Sequence, residues 1–232
     1  MILSFNKNNE IRGFLFDFSK RREYRVIGCV KDRMITMWLQ QGSTVDAIIQ
    51  GEFAETDPRG YYSSSAKLST SVITGLLREQ SNTENLAMYL RTDMANGGTM
   101  EDRFKLEGVE DESIILNATQ QFLAAIAKDD RNQVVEMIRF PVDCTIKKER
   151  KQFQTPESFL AYYNAIFGDG FKERLAITFP NYLIAYSGNV GGIGLSVYGG
   201  GAIFFNANGK VIAIYNEEEK TPTPTALPGG NP

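Results

Sequence analysis

Histidine is absent from the 232-residue sequence, and its absence excludes several kinds of catalytic site. Histidine is the usual acid or base near neutral pH and the commonest zinc ligand in proteins. Catalytic triads that depend on histidine are therefore excluded. Any proton transfer would depend on Asp, Glu, Tyr, Lys or Cys side chains. The sequence indicates no metal site and no cofactor.

Long apolar runs and clustered basic residues are also missing. Because no run of about 18 apolar residues occurs, the sequence predicts no membrane-spanning helix. The formal net charge is −3, and Lys and Arg are scattered rather than gathered into the stripe that nucleic-acid binding requires. Hydrophobic residues at 42% and charged residues at 23% are ordinary values for a globular protein. We therefore expect a globular protein that does not bind nucleic acid.

Cysteine is scarce, since only Cys29 and Cys144 occur, without CxxC spacing and one in each half of the chain. Cysteine is among the most buried residue types, so we expect two separate buried thiols. A disulfide between the halves stays open as the alternative. No stretch typical of a signal peptide precedes the first strand-like segment. The chain is therefore expected to be cytoplasmic, or a mature form from which a leader has been removed.

The first half of the chain is typical of antiparallel β-structure. Segments rich in β-branched and aromatic residues alternate with Gly, Asn, Asp or Ser breaks. The predicted strands are Ile11–Phe18, Tyr24–Val30, Arg33–Leu39, Val45–Phe53, Ala66–Leu77 and Asn85–Leu90. Glycine recurs within them at Gly28, Gly51 and Gly75, and glycine inside a strand often marks a bend. We expect a barrel-like antiparallel meander over residues 1–95.

A polar, acidic stretch follows, and we interpret residues 96–112 as a linker. Beyond it the apolar pattern changes to a helical period, and Ser113 is the expected cap of a first helix. The apolar stripe of this helix is Ile115, Ala118, Phe122 and Ile126. A second helix is expected over Arg131–Ile138, with Pro141 ending it.

The remaining pattern predicts a hairpin, a third helix and four strands. Thr155 and Pro156 form a typical helix start, and Gly168 lies where a C-terminal cap belongs. The predicted strands are Val142–Lys147, Arg150–Gln154, Tyr182–Tyr186, Ile193–Tyr198, Ala202–Phe205 and Lys210–Tyr215, with Asn208-Gly209 as a hairpin turn. The predicted class is α+β, with a second domain over residues 113–217.

Four motifs carry a family resemblance across this second domain. They are Phe122-Leu-Ala-Ala-Ile-Ala-Lys-Asp-Asp130, Ile138-Arg-Phe-Pro-Val142, Phe159-Leu-Ala-Tyr-Tyr-Asn-Ala-Ile-Phe167 and Gly201-Ala-Ile-Phe-Phe-Asn-Ala-Asn-Gly-Lys-Val-Ile-Ala-Ile214. Their order resembles the nuclear-transport-factor-two-like superfamily, also called SnoaL-like or cystatin-like cones. The resemblance implies a curved antiparallel sheet around helices, with Ile114–Lys128 in its concave side. It also implies a pocket that is catalytic, ligand-binding or filled.

Catalytic members of this superfamily carry an Asp–His pair or other ionisable residues inside the cone. The corresponding strands here, Leu183–Tyr186 and Ala202–Phe205, are apolar and aromatic. In the first half, Tyr24–Val30, Met34–Trp38, Ile49–Phe53 and Ile73–Leu77 resemble a small β-domain of bacterial envelope proteins. That resemblance implies a periplasmic or envelope location if a leader has been removed.

Polar aromatic side chains and one expected ion pair are the candidate pocket residues. Aromatic residues at this spacing form either core, with hydroxyls bonded to backbone, or a ligand pocket, and both interpretations stay open. The candidates are Tyr162, Tyr163, Phe167, Tyr182, Tyr186, Arg139 and Asp143. Arg139 and Asp143 flank Phe140-Pro141 and are expected to pair, either at a pocket edge or as a structural salt bridge.

Two further segments have the composition of binding elements. Tyr61 and Tyr62 follow a turn and are candidate surface anchors, because tyrosine gives large contact area at low entropy cost. Residues 218–232 form an acidic and Pro-rich tail. Such a tail is either a tether in the polyproline conformation or a ligand for an aromatic groove of a neighbouring chain.

The sequence favours a non-catalytic binding or interaction module of a bacterial envelope, in a larger assembly or a homo-oligomer. Its partner would be a protein or a small apolar or aromatic ligand. The alternative is a small-molecule lyase, isomerase or hydrolase that uses Asp143 with Tyr163 as hydrogen-bond donor. A buried carboxylate in an open pocket would favour the enzyme. An interior plugged by Phe122, Phe167 and Phe204 would favour the binding module.

Overall fold

A computed structural model describes residues 2–5, 8–32, 34–54, 70–79, 82–91, 103–146, 148–186 and 191–217. They form an α+β protein with two sheets, as predicted. The chain divides into two compact units between Glu112 and Ser113, with Ala185 and Tyr186 grouped with the first unit. Tyr61, Tyr62 and the Pro-rich tail lie outside the described residues.

The first unit contains a seven-stranded sheet whose strands pair in sequence order. The strands are β1 Ile2–Phe5, β2 Glu10–Asp17, β3 Arg22–Lys31, β4 Met34–Gln41, β5 Thr44–Ala54, β6 Thr70–Glu79 and β7 Asn82–Arg91. Every described pairing is antiparallel, which confirms the predicted meander. Strand β1 was not predicted, because its residues Ile2-Leu-Ser-Phe5 do not alternate between apolar and polar.

One face of this sheet forms the core of the first unit. The buried cluster consists of Ile11, Tyr24, Val26, Ile35, Met37, Leu39, Ala47 and Ile49, with Leu3, Leu15, Val30 and Leu77 packed against it. Gly28 lies on the same face, and a Cβ there would come 2.4 Å from the carbonyl oxygen of Thr36. Because the neighbouring backbone occupies that space, only glycine fits at position 28 of β3.

Residues 103–112, part of the stretch interpreted as a linker, pack against the first sheet. Arg103 is 8% exposed and forms an ion pair with Glu112. Its guanidinium carbon lies over the ring of Phe14, 5.4 Å from the ring centroid. Burial lowers the pKa of Arg103, and the Glu112 carboxylate opposes that shift. Phe104 and Val109 are also buried, although the polar composition of the stretch conceals them.

The second unit contains helices and a mixed six-stranded sheet. The helices are α1 Glu112–Ala127, α2 Arg131–Glu136, α3 Pro156–Ala161, α4 Tyr163–Ile166 and α5 Asp169–Ala176. The strands are β8 Ile138–Ile146, β9 Glu149–Phe153, β10 Leu183–Tyr186, β11 Gly192–Ser196, β12 Ala202–Phe205 and β13 Val211–Tyr215. Their order is β10-β11-β12-β13-β8-β9, and β13 runs parallel to β8. The buried side of α1 consists of Ile115, Thr119, Phe122, Ala125 and Ile126.

The expectation that Pro141 ends the second helix is wrong. Helix α2 ends at Glu136, and Pro141 lies within β8 after a cis peptide bond to Phe140. The register between β13 and β8 shifts from Val211 opposite Ile138 to Ala213 opposite Asp143, so Pro141 falls in the irregular part of the ladder. An irregular position tolerates proline because it does not require the missing N–H.

The predicted start of the third helix is confirmed, but its predicted end is wrong. Thr155 and Ser158 form a reciprocal capping box, with Pro156 in the first turn. Gly168, the expected C-terminal cap, has an extended backbone (φ −62°, ψ 160°) and is the N-cap of α5. The breaks at Tyr162 and Gly168 have a packing reason. In one continuous α-helix, side chains spaced four residues apart rotate by about 40° about the helix axis at each step. A row of such side chains would therefore turn away from the core.

The interrupted helices keep a row of four rings buried. Phe159, Tyr163, Phe167 and Phe171 follow one another at intervals of four residues and are each at most 2% exposed. Their centroids are 6.3, 4.9 and 6.2 Å apart in sequence order. This row faces the interior of the second unit.

Only one of the two thiols is buried as predicted. Cys144 on β8 is buried, whereas Cys29 on β3 is exposed. Val26 and Gly28 face the core, so alternation turns Cys29 to the other face of the sheet. Both cysteines are free, so no disulfide joins the two units.

We predict that the two thiols differ sharply in reactivity. Burial raises the pKa of the Cys144 thiol to about 12, and thiolate is the reactive form. A thiol reagent should therefore modify one cysteine in the folded protein and both in denaturant. The Cys29→Ser variant should show no modification until it is unfolded. Equal reaction rates for both thiols in the folded protein would contradict this arrangement.

Candidate functional site

Aromatic side chains fill the space between α1 and the second sheet. The ring of Phe122 meets those of Phe167 and Phe205 nearly edge-on, with centroids 6.2 and 6.0 Å apart. All three residues are at most 1% exposed. Phe204, the third residue named for a plugged interior, lies on the opposite face of β12, where its ring centroid is 5.4 Å from that of Tyr215. Phe205 takes its place, because neighbouring strand residues face opposite ways.

The candidate tyrosines do not form one lining. Tyr163 and Phe167 belong to the buried ring row, and Tyr182 is half-buried. Tyr162 and Tyr186 are 43% and 38% exposed. Tyr162 packs beside Phe153, and the Lys151 ammonium lies 4.7 Å from its ring centroid. The structure therefore separates these residues into core and surface.

Arg139 and Asp143 both lie on β8, and Asp143 binds a different cation from the one expected. Its Oδ2 accepts a hydrogen bond from Arg150 on β9 at 3.0 Å, and its Oδ1 accepts one from Gln152 at 3.4 Å. Arg139 is exposed. The pairing of β8 with β9 explains the difference, because it places Gln152 opposite Asp143 and Arg150 two residues away on the same face of β9.

The enzyme alternative needed Asp143 beside Tyr163, and the structure does not bring them together. Asp143 lies on the face of the hairpin that carries Gln152. Phe153 faces the other way and contacts Phe159 of the ring row at a centroid distance of 5.9 Å. Among the described residues, the buried polar ones are Arg103, Thr119, Thr145 and Thr178, with no Asp or Glu.

Clusters of metal ligands and membrane-spanning helices are both absent from the described part of the chain. There, no three or more His, Cys, Asp or Glu side chains lie close enough to hold a metal ion. None of the described helices has both the length and the apolar character needed to cross a membrane.

A polar network covers the buried Tyr163, and we call Asp129, Arg131, Tyr163, Asn164 and Lys172 the Tyr163 cluster. Asp129 follows α1 with φ 53°, in the left-handed region that Asp tolerates better than most residues. Its carboxylate accepts hydrogen bonds from Lys172 Nζ at 2.6 Å and from Arg131 at 3.2 Å. Arg131 also donates to Asn164 Oδ1 at 2.9 Å.

Both cations of the cluster lie near the ring of Tyr163. The Arg131 guanidinium carbon is 4.7 Å and the Lys172 Nζ is 5.6 Å from its centroid. The Tyr163 hydroxyl is buried and has no hydrogen-bond partner among the described residues. Burial raises the pKa of Tyr163 to about 12, and the negative charge of Asp129 adds to this shift. At neutral pH the hydroxyl is therefore a protonated donor.

A second candidate lies on the outer face of the first sheet. Ile27, Trp38 and Ile48 stand directly opposite one another on β3, β4 and β5, and we call them the Trp38 ladder. All three are half-buried. Arg12 lies opposite Ile27 and Arg78 opposite Ile48, so the ladder ends in an arginine on both sides.

The ladder was not predicted, although the sequence contains a signal for it. Val26-Ile27, Met37-Trp38 and Ile48-Ile49 are consecutive apolar residues in strands whose neighbours alternate. Since adjacent residues face opposite sides, one member of each pair must lie outside. The Tyr163 cluster had no comparable signal, because Asp129 and Lys172 are brought together only by the fold.

Comparisons of the chain with protein-family models, with curated proteins and with solved structures found no match.

We predict that Phe122→Ala lowers the free energy of unfolding of the second unit by about 3–5 kcal/mol, because it leaves a cavity among rings that cannot close over it. Denaturant unfolding followed by near-ultraviolet circular dichroism would measure this loss. Gln121→Ala, an exposed neighbour, should change stability by less than about 0.5 kcal/mol. Equal effects for the two variants would show that the interior is not closely packed.

We also predict a stability difference at high pH that depends on Tyr163. Its folded pKa of about 12 exceeds the ordinary value of 10.0, so the folded state holds its proton when the unfolded chain has lost it. The contribution of Tyr163 to stability is therefore constant below pH 10 and falls as the pH rises from 10 towards 12. Tyr163→Phe should reduce the loss of stability between these pH values in denaturant unfolding experiments, compared with the wild type. An identical loss in the variant and the wild type would refute the shift.

Proposed function

We propose that the protein is a non-catalytic interaction module that binds an acidic protein partner through the Trp38 ladder. The observation that carries this proposal is an in-register row of apolar side chains on the outer face of a sheet whose inner face already forms a core. Tryptophan and arginine are the residues most enriched at the energetic centres of protein interfaces.

The surroundings of the ladder favour an acidic partner. Arg12 and Arg78 stand at its two ends, and Arg25 lies exposed on the same face two residues before Ile27. Glu10 is 3.9 Å from Arg12, but both side chains are about half exposed, so this pair stabilises little. Carboxylates of a partner could bind these arginines while its apolar side chains cover Trp38. Such complementarity mainly raises the association rate.

The filled second unit supports a non-catalytic function. Phe122, Phe167 and Phe205 occupy the space in which the cone superfamily places its pocket, and the described residues offer no buried carboxylate there. We also propose that the second unit belongs to that superfamily. The packing of α1 against β12 and the order of the elements support this proposal. We place the protein in a bacterial envelope assembly, on the resemblance of the β3 to β6 motifs.

A barrel-like shape for the first sheet belongs to the same proposal. Lys20 in the β2–β3 turn binds Glu79 at the end of β6, with 2.7 Å between Nζ and Oε1. Three strand spacings of about 4.8 Å would separate β3 from β6 in a flat sheet. The contact therefore supports a strongly curled sheet, which would display the ladder on a convex surface.

Photo-crosslinking can test the proposal. A crosslinking amino acid replaces Trp38 in one variant and the exposed Gln41 in another, both expressed in the source cells. We expect a reproducible protein adduct from position 38 that is absent from position 41. If the two positions give the same adducts or none, the ladder is not a docking surface.

Affinity for the crosslinked partner then gives a quantitative prediction. Trp38→Glu should weaken binding by about 30-fold or more, as expected for a central interface residue worth about 2 kcal/mol. Gln41→Glu, with the same charge change, should bind as the wild type does. Arg78→Gln should slow association and reduce its salt dependence. Fluorescence of Trp38, the only tryptophan, reports binding directly in the wild type. Unchanged affinity of Trp38→Glu would refute the assignment.

A further inference from the structure

We propose that the Tyr163 cluster is a binding site for the phosphate or carboxylate group of a small molecule. The site lies in the second unit, and its geometry does not depend on the Trp38 ladder. Its distinguishing feature is a surplus of hydrogen-bond donors over acceptors around a buried tyrosine hydroxyl.

One carboxylate serves two cations in this cluster. Lys172 binds Asp129 Oδ1 at 2.6 Å, and Arg131 binds Asp129 Oδ2 through Nε at 3.3 Å and a terminal nitrogen at 3.2 Å. Asp130 does not share this task, because its side chain caps α2 by accepting from the Gln133 amide at 3.1 Å. A second oxyanion would therefore meet two cations already held close together.

The hydroxyl of Tyr163 provides the third donor. The same cations lie over its ring, with the Arg131 guanidinium carbon 4.7 Å and the Lys172 Nζ 5.6 Å from the centroid, so the hydroxyl at the edge of this ring lies near both. An oxyanion can accept from a hydroxyl, an ammonium and a guanidinium together, and such charge-assisted bonds are the stronger kind. No other described group supplies an acceptor to this hydroxyl.

Packing does not explain the presence of a tyrosine here. The other three members of the ring row, Phe159, Phe167 and Phe171, are phenylalanines in equally buried positions. A phenylalanine would fill the same space without burying a hydroxyl that lacks a partner, which is unfavourable. The hydroxyl is therefore accounted for by a ligand that accepts its hydrogen bond.

The surface of the cluster allows a ligand to enter. The side chains of Asp129 and Arg131 are 45% and 41% exposed, and that of Lys172 is 29% exposed. Asp129 can turn towards solvent and leave both cations to the incoming oxyanion. The aspartate is then a competitor of the ligand, so its removal should strengthen binding.

Titration of the full chain with inorganic phosphate and with succinate tests the site, with calorimetry as readout and sodium chloride of equal ionic strength as reference. We expect saturable binding of one of the two anions, and the tighter one identifies the preferred group. Tyr163→Phe and Lys172→Gln should each weaken it by about tenfold or more, the loss of one hydrogen bond to a charged group. Asp129→Ala should strengthen it.

Lys151→Gln is the matched control. Its ammonium also lies 4.7 Å from a tyrosine ring centroid, that of Tyr162, but that ring is exposed and outside the cluster. This variant should bind like the wild type. The proposal is overturned if neither anion binds beyond chloride, or if Tyr163→Phe, Lys172→Gln and Asp129→Ala all bind as the wild type does. Circular dichroism establishes that each variant is folded, and Asp129→Ala tests the site even where another variant unfolds.

Discussion

Phe122 lies at the centre of the second unit, fully buried between Phe167 and Phe205. Its ring contacts with Phe205 and Phe167 hold α1 against β12 and against the residue that follows α4. Interiors packed in this way contain few voids larger than a water molecule. Phe122, Phe167 and Phe205 therefore form a closely packed part of the second unit.

The first unit obeys a related constraint. A strand with two consecutive apolar residues can bury only one of them in the same core, because the side chains alternate. Val26, Met37 and Ile49 enter the core, so Ile27, Trp38 and Ile48 remain on the other face. Antiparallel pairing then aligns these three side chains into one ladder. The Trp38 ladder therefore consists of side chains that the core of the first unit does not use.

Local sequence patterns predicted most elements of the fold. The positions that were predicted wrongly depend on contacts between residues distant in sequence. Most strand positions and the Thr155-Pro156 cap follow from alternation and capping, which involve near neighbours. Pro141 and Gly168 were misassigned because their roles depend on partners distant in sequence. Pro141 lies where the β13–β8 register shifts, and Gly168 lies at a break that keeps a row of rings facing the core. No pattern along the chain could bring Asp129 to Lys172.

Two ion clusters lie in the second unit, and they differ in the balance between hydrogen-bond donors and acceptors. Asp143 has one cation, Arg150, and an amide donor, Gln152, so its donors and acceptors balance on an exposed hairpin. In the Tyr163 cluster a single carboxylate faces two cations, and the tyrosine hydroxyl beneath them has no described acceptor. Exposed ion pairs are common and worth little, whereas an unsatisfied buried donor is costly. The imbalance, rather than the number of charges, singles out the Tyr163 cluster.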